Sequence, residues 1–167
     1  TDRAYITSTG YNLIDQSVFA YLGTTAWSYY GFYPGTGSII QNSNFTQNYM
    51  GIFLNTNNLL IDNNSFYNNS KYSIFSDGHP DLANITNNYF NNSGDADIYL
   101  SLSATRPNQL VIENNTFEPA VSSSPLAVYS SGNITIKGNF ITGTGVGDTQ
   151  CIKLQGTDNA EITNNTC

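Results

Sequence analysis

Asp62 and Glu113 are the residues whose type and placement come nearest to a catalytic pair. Each follows an isoleucine inside near-identical octapeptides, LLIDNNSF at 59–66 and LVIENNTF at 110–117. Two carboxylates flanking a glycosidic bond are the equipment of glycoside hydrolysis, roughly 6.5–9.5 Å apart in the inverting case. The other acid–base candidates are Asp77, His79 and Asp81 in SDGHPD at 76–81, and Asp95 with Asp97. A lone histidine between two aspartates in a Gly-Pro turn reads as a solvated turn rather than a metal site. Asp95 and Asp97 lack the dense ligand spacing of a calcium loop. No metal and no cofactor is expected.

The elements that hold these residues come from a repeat. Isoleucine recurs at Ile14, Ile40, Ile61, Ile85, Ile112, Ile136 and Ile162, at gaps of 26, 21, 24, 27, 24 and 26. Five places after each stand Phe19, Phe45, Phe66, Phe90, Phe117, Ile141 and Cys167. A period of about 25 over seven copies is a repeat architecture. Its apolar positions alternate and include β-branched residues, so it is strand-like, and no stretch has the 3.6-residue period of a helix. A second apolar strand follows each motif, at 52–54, 73–75, 98–100, 126–129 and 152–154. Short strands joined by Asn, Gly and Ser make one coil of a β-solenoid, with coils stacked about 4.8 Å apart.

Stacking turns equivalent positions into columns. The isoleucine and phenylalanine columns are expected inside, each buried member stabilising by about 1.5–3 kcal/mol. The position two after each isoleucine holds Gln16, Asn42, Asn63, Asn87, Asn114, Gly138 and Asn164. Asparagine carries both donor and acceptor, so this position is expected to form an inward hydrogen-bonded column. The next position, with Asn64, Asn88, Asn115, Asn139 and Asn165, is expected at a left-handed corner.

This pattern resembles the right-handed parallel β-helix superfamily, which includes pectate-lyase-like enzymes and many microbial surface proteins. The resemblance covers about residues 11–167 and implies an all-β, right-handed parallel β-helix of about seven coils. Handedness comes from the resemblance alone. One domain over 1–167 is expected, with an irregular, aromatic-rich first coil at 1–37 and regular coils at 38–167 ending in an open edge.

Composition narrows the function. Charged residues make up 10 % of the chain, against about 25 % in ordinary domains. The net charge is −7, which argues against nucleic acid and anionic membrane surfaces as partners. No apolar run approaches the ~20 residues of a membrane span. Cys151 and Cys167 are the only cysteines, and a disulfide stapling the last coil is expected between them. Extracellular location suits that bridge. Sequons within loops or at corners, at Asn44, Asn68, Asn84, Asn91 and Asn133, are candidate glycosylation acceptors. Those at Asn63, Asn114 and Asn164 fall in the column expected to point inward.

Aromatic residues concentrate at 20–37, with Tyr21, Trp27, Tyr29, Tyr30, Phe32 and Tyr33. They could stack on sugar rings, but packing over the first coil is the plainer use. Stacked coils would put Asp62 and Glu113 two rungs apart, roughly 9.6 Å. A solvated charge row explains them equally, and Glu113 would neighbour Lys137. The resembling polysaccharide lyases group aspartates with Arg or Lys on one face, whereas Arg3 and Arg106 here lie outside the repeat core. No catalytic residue is therefore assigned. Leu13, Ile39, Leu60 and Val111, one place before their isoleucines, point outward and want a lateral cover. The chain stops in mid-coil at Cys167, which suggests that another copy stacks on that edge. The expectation is a non-enzymatic, self-assembling extracellular protein of a surface layer, sheath or fibre. The alternative is a β-helix that binds or acts on polysaccharide.

Overall fold

The computed structural model describes residues 4–25, 31–78, 80–101, 109–119, 124–129, 132–142 and 150–167. Three short strands recur in each coil. The first coil has β1 (Ile6–Thr7), β2 (Leu13–Asp15) and β3 (Val18–Ala20). The second and third have β4 (Phe32–Tyr33), β5 (Ile39–Gln41), β6 (Asn44–Thr46), β7 (Met50–Phe53), β8 (Leu59–Asp62) and β9 (Ser65–Tyr67). Next come β10 (Tyr72–Ser76), β11 (Ala83–Thr86), β12 (Tyr89–Asn91), β13 (Ala96–Ser101), β14 (Leu110–Glu113) and β15 (Thr116–Glu118). The chain finishes with β16 (Leu126–Tyr129), β17 (Asn133–Lys137), β18 (Phe140–Ile141), β19 (Ile152–Gln155) and β20 (Asn159–Thr163).

Every third strand pairs in parallel, giving three sheets that wall a prism. The first runs β1-β4-β7-β10-β13-β16-β19, the second β2-β5-β8-β11-β14-β17-β20 and the third β3-β6-β9-β12-β15-β18. The register is the repeat itself: Ile40 pairs with Ile61, Ile61 with Ile85 and Ile85 with Ile112. Seven isoleucines do not make seven enclosed coils. Ile40, Ile61, Ile85, Ile112 and Ile136 are fully buried, Ile14 is half-buried and Ile162 is 49 % exposed. The stack therefore has about five enclosed coils between two end rungs, because an end rung has a neighbour on one side only.

The phenylalanine column is continuous. Ring centroids step 4.8 Å from Phe19 to Phe45, 5.1 Å to Phe66, 4.8 Å to Phe90 and 4.8 Å to Phe117. These steps match the spacing between parallel strands, so the rings stack because the backbones do.

The asparagine columns are exchanged relative to the sequence expectation. Asn42, Asn63, Asn87, Asn114 and Asn164, expected inside, are exposed and have φ of +51° to +55°. Asn64, Asn88, Asn115 and Asn139 are buried instead. The cause is parity. Simple alternation would point the residue two after isoleucine inward, but its left-handed conformation turns the chain and shifts the inward set by one. The residues three and five after isoleucine then both face the core. Gly138 holds the same corner at φ +64°, where a β-carbon would strike the Asn114 side chain.

The buried asparagines form a ladder. Asn88 accepts from the Asn64 backbone N–H (2.9 Å) and side-chain amide (3.1 Å) through its Oδ1. It donates from Nδ2 to the Ile61 carbonyl (2.9 Å) and to Asn115 Oδ1 (3.1 Å). Each rung thus satisfies backbone that a corner would orphan. Asn88→Ala should cost about 3 kcal/mol, since it strands a buried N–H and a buried carbonyl. Asn87→Ala should cost about 1 kcal/mol, the strain of a left-handed alanine. Denaturant midpoints with unchanged slope would measure both, and equal losses would count against the exchanged assignment.

The two cysteines are bonded, with Cα atoms 6.1 Å apart. Cys167 follows the Phe140–Thr166 bridge and so continues the phenylalanine column after Ile141. Reduction should release about 3 kcal/mol of constraint on the closed loop. Faster amide exchange in β20, with β8 unchanged, is the expected readout.

Candidate binding face

The inner face of the first sheet is aliphatic, and Ile52, Ile74, Ile98 and Leu126 follow one another in register. The residue after each points outward by alternation. In three successive coils it is aromatic: Phe53, Phe75 and Tyr99, followed by Ala127 and Lys153. Tyr33 extends this row, its ring 4.3 Å from Phe53. Beside it stand Met50, Tyr72 and Ala96 in register. Tyr72 stacks on Phe75 at 5.1 Å and on Tyr99 at 4.9 Å, and Tyr99 reaches Tyr129 at 5.3 Å. The result is a second apolar cluster, on the outside of the coil and separate from the core.

Two hollows open on this face. One of about 330 Å³ lies among Tyr49, Lys71, Tyr72, Asp77, Tyr99 and Ser101. The other, about 200 Å³, lies among Tyr72, Asp95, Tyr99, Tyr129 and Lys153. Tyr72 and Tyr99 form the wall between them. A roomier hollow of about 640 Å³ sits at Gln109, Asn133, Thr135, Asp158 and Glu161 on the second sheet, but it is polar and lacks aromatic rings. The aromatic pair is the better candidate because pockets that hold small ligands combine apolar walls with a few polar groups.

Electrostatics favour the same face. Lys71 Nζ lies 5.3 Å from the Tyr72 ring centre and 5.8 Å from that of Tyr49. Lys153 Nζ lies 5.4 Å from the Tyr129 ring centre. Such contacts hold an ammonium group in place without neutralising it. Burial pushes the phenols of Tyr72, Tyr33 and Tyr99 above their ordinary range, and the Asp95 charge adds to the effect on Tyr72. These hydroxyls stay protonated at neutral pH and can donate hydrogen bonds.

The Asp62–Glu113 pair is arranged differently from a working acid and base. Thr86 stands between them in register. Asp62 accepts from Thr86 Oγ1 and Asn87 Nδ2, both at 2.7 Å. Glu113 pairs with Lys137 at 3.4 Å. Both carboxylates are thus tied into the surface network of the second sheet. Asp95 is exposed and Asp97 buried, so the two do not converge on one site. His79, Trp27, Tyr29, Tyr30, Arg3 and Arg106 lie outside the described residues. The aromatic stretch at 20–37 is divided: Phe32 enters the core, Tyr33 joins the outer face and Tyr21 is exposed. Of the candidate glycosylation acceptors, Asn44, Asn68, Asn84 and Asn133 are exposed and Asn91 is half-buried. Asn63, Asn114 and Asn164 are exposed too, so burial does not separate the two sets.

The tyrosine face does not stand out along the sequence because its residues occur singly, one per coil. Aligning the second strands of the repeat, as MGIF, YSIF and ADIY, would have shown an aromatic after each isoleucine. Comparison with known proteins adds the family. The model of a right handed beta helix region matches residues 2–118 and 74–167. No curated protein and no solved structure matches the chain. With three parallel sheets in repeat register and a family model spanning nearly every residue, the chain belongs to the right-handed β-helix family.

Proposed function

We propose that this protein binds a carbohydrate polymer along the outer face of its first sheet. The observation that carries this reading is the set of half-buried rings of Tyr33, Tyr49, Tyr99 and Tyr129, seated on the buried Phe53, Tyr72 and Phe75 and flanked by Lys71 and Lys153. Sugars present apolar C–H faces and a rim of hydroxyls. Aromatic side chains match the first, while phenol, ammonium and carboxylate groups match the second. Asp77 and Asp95 supply acceptors within the same hollows. A face that extends over several successive coils suits an extended chain better than one compact ligand. The disulfide fits an oxidising, extracellular setting, where such polymers occur.

The test is binding to a panel of neutral and acidic polysaccharides, by affinity electrophoresis or calorimetry. Tyr99→Ala should weaken binding at least tenfold, about the contribution of one aromatic contact. Tyr67→Ala, on the third sheet, should leave it unchanged. Equal effects from both variants, or no binding across the panel, would refute the reading.

A second reading, self-assembly into a surface layer, sheath or fibre, is favoured by a different face. Leu13 is 58 % exposed on the outside of the second sheet, in register with Ile39 and then Leu60. Val111 continues this outward row beyond Asn84. A second copy covering that row would give lateral association. Sedimentation velocity should then show concentration-dependent polymers that Leu60→Glu abolishes. A monomer at all concentrations would remove this reading and leave the first standing.

A further inference from the structure

Behind the tyrosine face lies a corner built from two polar columns. The first holds Asn48, Asn69 and Ser93, three residues after their phenylalanines and all fully buried. The second holds Gly51, Ser73 and Asp97, which directly follow the register partners Met50, Tyr72 and Ala96. The columns share one volume. Asn69 meets Ser73, and one coil on, Ser93 meets Asp97, so one side chain grows as the other shrinks.

Their chemistry does not match in the same way. Asn48 donates to the Phe19 carbonyl and Asn69 to the Phe45 carbonyl, each at 3.1 Å. Asn69 also donates to Ser73 (3.0 Å), and the Ser73 and Ser93 hydroxyls lie 2.7 Å apart. Asp97 takes the space of an amide but, ionised, has nothing to donate. Its side chain is fully buried, and neither carboxyl oxygen has a hydrogen bond of good geometry, although the Ser93 hydroxyl and N–H lie near enough to favour the charged form. A buried carboxylate so poorly paired is far costlier than the neutral acid, which also brings the O–H donor that the corner lacks.

We propose that Asp97 is held as the neutral acid in the folded coil, and that its ionisation loosens the corner behind the tyrosine face and so gates that face by pH. Burial pushes its carboxyl up to about 7, with the Ser93 hydroxyl and backbone N–H pulling the other way. No charged neighbour among the described residues drives this shift. β10 brings Ser73 against it, the preceding turn brings Ser93, and the Pro125 carbonyl accepts from its backbone N–H. The titratable groups on adjoining positions are Asp95, which is exposed, and Tyr72 and Tyr99, whose phenols belong to the outer face. Ionisation at Asp97 strains β13, the strand that carries Tyr99. The loosening stands on this corner alone, whereas gating of binding rests on the carbohydrate reading above.

The experiment has three measurements. Carbon-13 titration of the wild-type carboxyl should show a midpoint near 7, and a midpoint below about 4.5, in the ordinary aspartate range, would overturn the proposal. Amide protection of Ile98 and Tyr99, corrected for intrinsic exchange, should fall at least tenfold between pH 5.5 and pH 8.5. Asp97→Asn, which restores an amide donor, should abolish that fall, and an identical fall in the variant would overturn the proposal. Affinity for the polysaccharide selected from the panel should fall with protection in the wild type and stay level in Asp97→Asn. A level wild-type affinity alongside falling protection would refute the gating. Absence of binding at either pH would refute the carbohydrate reading and the gating with it, while the exchange data still decide the loosening.

Discussion

Phe66→Ala is expected to lower the free energy of unfolding by about 3–5 kcal/mol, the usual cost of emptying a large aromatic site in a packed core. Phe66 is fully buried, with Phe45 stacked on one side at 5.1 Å and Phe90 on the other at 4.8 Å. Each neighbouring ring is held by its own strand, so neither can slide into the space. The substitution therefore leaves a cavity rather than a shorter stack. Asp62→Ala, four residues earlier, makes the control. It removes hydrogen bonds to Thr86 and Asn87 at the surface, worth about 1 kcal/mol together because water replaces them. Urea midpoints for the two variants should differ clearly. Equal, small shifts would mean that the phenylalanine column carries little of the stability.

Stability should also fall as pH rises from about 4 to about 7, owing to Asp97. Unfolded, its carboxyl titrates near 3.8, and folded, near 7. Below the lower value both states hold the proton and the group contributes no pH dependence. Between the two values only the folded state holds it, so stability drops with each step in pH. Above the upper value both states are ionised and the loss is complete, at roughly 4 kcal/mol for a gap of about three pH units. Asp97→Asn cannot ionise, so the difference between variant and wild type isolates this group from the other acids. At pH 8 the variant should be the more stable of the two, and at pH 4 the two should converge. Parallel stability curves across this range would show that Asp97 has an ordinary carboxyl.

The local sequence carried the repeat because each coil must present the same side chains to its neighbours. Isoleucine and phenylalanine at a fixed interval are enough to define strands, register and core columns, and Ile61 pairs with Ile85 as the interval requires. The outward row of Leu13, Ile39 and Leu60 was legible for the same reason, since alternation within a strand is a local rule. The Cys151–Cys167 bridge was equally accessible, because one position follows from the phenylalanine column and only one partner exists.

What local rules could not decide was the sense of each corner. Asn63 and Asn64 are chemically identical neighbours, and either could turn left-handed while the other stacked. Tertiary structure chose Asn63 for the turn at φ +53° and Asn64 for the ladder, because only that choice brings Phe66 inward after Ile61. The candidate site was hidden for a related reason. Tyr72, Tyr99 and Tyr129 are 27 and 30 residues apart in sequence and meet only when coils stack. A solenoid and most of its interior were legible from the repeat, since those depend on a period. Its outer aromatic face and the buried Asp97 were decided by the stacking of whole coils, which sets the neighbours of every side chain between one rung and the next.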